Sequence, residues 1–117
     1  MTVAHTQMDR ILHLMAEKKA SDVYISAHAP ATIKIEGEYL HINETPLSPQ
    51  AVLNLLIDVV PPNRIEELKE TGELNMAIPL QGVGNFRLSA MRLFRPGRSG
   101  SLFQKLPAVI VLGLVLR

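Results

Sequence analysis

Four arginines, Arg87, Arg92, Arg95 and Arg98, fall within one short stretch of the chain. A guanidinium is planar, permanently charged and able to grip two phosphate oxygens at once, so a cluster of this kind could sense a nucleotide held by another domain or subunit. The same residues could instead form a solvated hairpin that blunts a sheet edge with charge. Nucleic acid fits them less well. Aromatic residues make up 4% of the chain, too few to interleave as stacking platforms, and the net charge of +1 gives no long-range field.

Other chemistry is hard to assemble. Hydrolysis of ATP needs a loop of backbone N–H groups and a lysine around the phosphates, spaced G-x-x-x-x-G-K-[ST], and no segment of the sequence has it. Gly82-Val83-Gly84 begins like a dinucleotide fingerprint, but the third glycine is missing and a strand pattern follows, so it reads as a hairpin turn. His5, His13, His28 and His41 lack the spacing of a helical metal site and read as surface or satisfied histidines. Glu36, Glu38 and Glu44 surround one hairpin and Glu66, Glu67 and Glu70 share one helix, which are solvated placements rather than a buried acid/base pair. There is no cysteine, which excludes disulfides and thiolate chemistry.

The elements that would carry the arginines follow from periodicity. The chain of 117 residues, 47% hydrophobic and 20% charged, holds enough apolar material for one core and one domain. Met8, Ile11, Leu12 and Met15 recur at helical spacing and predict a helix over about 5–19. Alternation over 22–27 predicts a strand, and Ile33, Ile35, Leu40 and Ile42 flank a tight turn at Glu36-Gly37-Glu38. Ser48-Pro49 is a helix-start pair; the helix runs to about 60, stops at Pro61-Pro62, and a second helix leads to a glycine cap at Gly72. Leu74, Met76, Ile78 and Leu80 alternate, as do Phe86, Leu88 and Ala90, and a last strand is expected at about 101–106. The order α-β-β-β-α-α-β-β-β predicts an α+β fold, a mostly antiparallel sheet of about six strands with helices packed on one face. Ala108 to Leu116 is apolar but about half the ~20 residues of a membrane span, and reads as core or tail. The N-terminus has no basic start or apolar run of a signal peptide.

Several blocks resemble, in the same order, the N-terminal PAS-like domain of the type IV pilus twitching-motility ATPases of the PilT and PilU type, within the type II/IV secretion ATPase superfamily. They are Met8 to Met15 with Ala20 to Ser26, Pro30 to Lys34, Gly37, Thr45 to Pro49, and Gly82 to Ala90. Together they reach over about 8–107, which sets a PAS-like domain at 1–107 and leaves 108–117 as the start of a linker or a divergent tail.

The resemblance implies a cytoplasmic hexameric motor, peripheral to the inner membrane through pilus base proteins, with no direct membrane insertion. In it this domain packs on the RecA-like ATPase domain of the same or a neighbouring subunit and couples nucleotide state to domain motion. ATP and Mg belong to the parent protein, with no cofactor in this chain. Arginines on the late strands of such domains reach the phosphates of the adjoining ATP site; Arg87 matches the first such position, and at the second the sequence has Gln104. Apart from the resemblance, a stand-alone PAS-like module holding a small ligand or a protein partner remains the competing reading.

Overall fold

The computed structural model describes residues 7–92 and 108–115. Helix α1 (Gln7–Lys18) places Met8, Leu12 and Met15 on one stripe, and all three are fully buried. It stops where Lys19 turns left-handed at φ 57° and the Ala20 N–H donates to the Met15 carbonyl at 2.9 Å. The chain then runs through β1 (Asp22–Ile25), β2 (Thr32–Ile35) and β3 (Glu38–His41). Between β2 and β3, Glu36 and Gly37 both have positive φ, 50° and 83°, the backbone of a two-residue turn whose twist matches the flanking strands.

Helix α2 (Pro49–Val59) starts on Ser48, whose Oγ accepts from the Ala51 N–H at 3.0 Å, with proline in the first turn. Helix α3 (Pro62–Thr71) ends on Gly72 at φ 89°, a conformation that needs the missing Cβ. Strands β4 (Glu73–Leu80), β5 (Gly84–Arg92) and β6 (Ala108–Val115) complete one six-stranded sheet of order β3-β2-β1-β6-β5-β4, antiparallel throughout. The α+β class, the element order and the six-stranded sheet are those the sequence predicts.

One expectation is corrected. Ala108–Val115, read as core or tail and assigned beyond the domain, is a central strand, hydrogen-bonded to β1 on one side and β5 on the other. A near-continuous apolar run is how an inner strand reads when its neighbours and the core together shield it. The strand expected at 101–106 lies outside the described residues.

The sheet has two unlike faces. Val23, Ile25, Ile33, Leu74, Ile78, Phe86, Leu88, Ala90, Ile110 and Leu112 form a single buried cluster with Met8, Leu12 and Met15 of α1, Val52, Leu55 and Leu56 of α2, and Leu68 of α3. The opposite face carries no helix among the described elements. By register it displays Asp22, Tyr24, Lys34, Tyr39, Asn75, Ala77, Arg87, Ser89, Met91 and Val111.

Candidate functional site

Alternation along β5 decides where its arginine goes. Phe86, Leu88 and Ala90 are buried toward the helices, so Arg87 between them stands exposed on the open face. Its register neighbours are Ala77 on β4 and Gly113 on β6, and beyond Gly113 the row continues to Asp22, Lys34 and Tyr39. Neither flanking residue can reach up beside the guanidinium. A Cβ added at Gly113 would meet only Asp22 Oδ1 at 3.8 Å and the Ser21 carbonyl at 4.0 Å, so packing inside the domain does not demand glycine here. The bare position leaves the sheet surface next to Arg87 open to a group from outside.

No ion pair neutralises Arg87 among the described residues. Arg64, by contrast, is held in place, with Nε 2.7 Å from Glu67 Oε1 and Nη2 donating to the Asn75 carbonyl at 2.9 Å. One strand row away from Arg87, the Ser89 hydroxyl donates to Asn75 Oδ1 at 2.8 Å. Arg87 is therefore an exposed cation on a rigid strand with its fork uncommitted, able to meet a phosphate or carboxylate presented by another surface.

The rest of the expected arginine cluster is only partly placed. Arg92 ends β5, opposite Ala108 in register. Arg95, Arg98 and Gln104 lie outside the described residues.

A second group on the open face went unread in the sequence. The Tyr24 and Tyr39 rings stand 5.9 Å apart at 43°, and Lys34 Nζ lies 5.3 Å from the Tyr39 ring centre, within cation–π range. Burial, followed by the negative charge of Asp22, raises the Tyr24 phenol above its ordinary value. The neighbouring Tyr39 raises the Lys34 ammonium. Both shifts favour the protonated forms, a neutral Tyr24 phenol and a charged Lys34 ammonium. The signal was present: a two-residue turn at 36–37 fixes Lys34 opposite Tyr39.

Among the described residues a cleft of about 600 Å³ lies between the end of α1, the β4–β5 turn and the end of β6. Its lining is mostly apolar, from Ala16, Ala20, Val83 and Leu114, with Lys19 and Asn85 as polar groups. His13, His28 and His41 are exposed on three different segments, and among the described residues no three metal-binding side chains converge.

The described residues thus form a small α+β domain with helices on one sheet face and an exposed arginine on the other. No family model matches the chain. It is 34% identical over 84 residues to the type IV pilus ATPase PilU of Pseudomonas aeruginosa, and 28% identical over 101 residues to the pilus retraction ATPase PilT of the same organism. These alignments take in 72% and 86% of the chain but 22% and 29% of the two relatives, so the chain spans a quarter or so of their length. The X-ray structure of the Legionella pneumophila ATPase DotB superposes on 97% of the chain with a TM-score of 0.73 at 19% identity, covering 31% of DotB. The pilus retraction motor PilT with bound ADP superposes on 88% with a TM-score of 0.66 at 21% identity, covering 28% of PilT. These likenesses support an N-terminal domain of a secretion or pilus ATPase.

Proposed function

We propose that this chain is the regulatory and assembly domain of a hexameric pilus-retraction ATPase, docking on the RecA-like core of a neighbouring subunit and coupling its nucleotide state to domain motion. The observation that carries this reading is Arg87, exposed on the open sheet face and paired with no carboxylate among the described residues. A lone guanidinium on a flat sheet holds no nucleotide by itself. It completes a site whose phosphate loop, ATP and Mg belong to another domain. The chain alone then has no ATPase activity, since its sequence has no phosphate-binding loop. The motor works in the cytoplasm, at the inner-membrane base of the pilus; no helix among the described residues is long and apolar enough to cross a membrane.

The test is ATP turnover of the motor that carries this domain, with Arg87→Ala. A loss of roughly tenfold or more is expected, modest beside the gains that arginine fingers bring to phosphoryl transfer. Unchanged turnover removes the nucleotide-sensing role.

The cleft beside Lys19 supports a second reading, a stand-alone module holding a small, mostly apolar ligand. The size of the native product in its source cells separates the two. A product several times larger than this chain supports the motor domain, and one of matching size supports the module.

A further inference from the structure

The two edges of the sheet are treated differently. On β4 the outward-facing backbone groups belong to Glu73, Asn75, Ala77 and Pro79, as the Arg64 bond to the Asn75 carbonyl shows. Part of that edge is closed. The Thr71 hydroxyl sits over Glu73, 3.0 Å from its carbonyl and 3.4 Å from its N–H, Arg64 occupies the Asn75 carbonyl, and Pro79 has no N–H to offer.

Among the described residues the β3 edge has none of these devices. The Ile42 N–H donates to the Ala31 carbonyl at 2.8 Å, so by alternation Leu40 and Glu38 bond inward to β2, while the N–H and C=O of Tyr39 and His41 point outward. All four residues of the strand are exposed, and Tyr39 and Leu40 are 60% and 49% exposed despite their apolar surface. Outward groups at every second residue of an extended strand are a template for one kind of occupant, another extended backbone.

We propose that β3 pairs antiparallel with β3 of a second copy of this chain, on a two-fold axis through Leu40. That is the one antiparallel register in which all outward groups of the strand bond within the strand pair. Tyr39 faces His41 of the copy and His41 faces Tyr39, so all four outward groups bond, and the two half-exposed Leu40 side chains meet on the axis. Sliding the pair by two residues leaves half of the outward groups bonded outside the strand. A four-residue strand covers less than the about 1,200 Å² at the low end of stable interfaces, so the pairing is concentration-dependent. It is independent of the role given to Arg87, which lies on β5.

The test is sedimentation equilibrium of the chain, with hydrogen exchange followed residue by residue. A monomer–dimer equilibrium is expected, in which the Tyr39 and His41 amides gain protection as concentration rises. His41→Pro removes an outward N–H that the β2–β3 ladder does not use, and Leu40→Lys sets like charges on the axis; each weakens the dimer by tenfold or more. Should His41→Pro fail to fold, Leu40→Lys and the exchange data decide. A chain that stays monomeric to about 1 mM, the weak end of specific association, overturns the proposal. So does a dimer in which those two amides exchange as they do in the monomer.

Discussion

Asp22 and Arg87 stand on either side of Gly113 in a single cross-strand row, opposite charges about 10 Å apart at two strand spacings, with no ion pair between them. The bare glycine keeps the space between them open. An anion arriving from outside meets Arg87 most favourably on its Ala77 side, away from the Asp22 carboxylate.

Because Arg87 is exposed and makes no ion pair among the described residues, Arg87→Ala and Arg87→Lys should both leave thermal stability within about ±0.5 kcal/mol of the parent chain. In the full motor the two variants should separate from the wild type together, since lysine keeps the charge but loses the planar fork. Melting curves and ATP turnover measured side by side check this. A lysine variant with wild-type turnover would reduce the role of Arg87 to simple charge.

Leu112 is fully buried in β6, so Leu112→Ala should cost about 2–5 kcal/mol. Removal of residues 108–117 takes out the strand that joins the two halves of the sheet, β3-β2-β1 and β5-β4, and should abolish cooperative unfolding. Circular dichroism on heating gives the answer. A truncated chain that melts cooperatively at the parent temperature would show that β6 is dispensable.

Much of this was legible before any coordinates. Met8, Leu12 and Met15 announce α1 by spacing, Ser48-Pro49 and Gly72 mark helix ends, and Phe86, Leu88 and Ala90 dictate that Arg87 faces outward. These are local signals, each written in adjacent residues. The position of β6 is not local. Its partners β1 and β5 lie far away in sequence, and its apolar run lacks the alternation that identifies a strand with one wet face. The Asp22–Gly113–Arg87 row was hidden for the same reason, since three distant segments must be in register before it exists.

Lys19 adopts a left-handed backbone, which costs a non-glycine residue roughly 1 kcal/mol. Lys19→Gly should therefore raise stability by a few tenths of a kcal/mol to about 1, and Gly72→Ala, at φ 89°, should lower it by at least a similar amount. Denaturant titration of both variants tests the assignment of these two helix ends. Opposite signs are expected, and a stabilising Gly72→Ala would contradict the C-cap.

The Tyr24–Lys34–Tyr39 group predicts an alkaline limb. Burial and the Asp22 charge raise the Tyr24 phenol, so its stabilising contribution is complete below the ordinary phenol value near 10 and is lost as pH rises through the higher folded value. The raised Lys34 ammonium acts in the same direction. Tyr39→Phe removes one source of both shifts and should move the Tyr24 titration, followed by absorbance of the phenolate, down toward its ordinary range without reaching it, since burial remains. A Tyr24 titration unmoved by the substitution would show that the two rings are electrically independent.

The central claim is that Arg87 serves an ATP site on a neighbouring subunit, and mixed oligomers test it most directly. One subunit carries Arg87→Ala with its own ATP site intact, and the other keeps Arg87 but has the lysine of its phosphate loop replaced. The first alone should keep about a tenth or less of wild-type turnover, and the second should be nearly inactive. If Arg87 acts across the interface, mixing the two should restore ATP turnover well above the sum of the separate activities. A mixture no more active than that sum, or an Arg87→Ala motor that is fully active alone, would contradict the account.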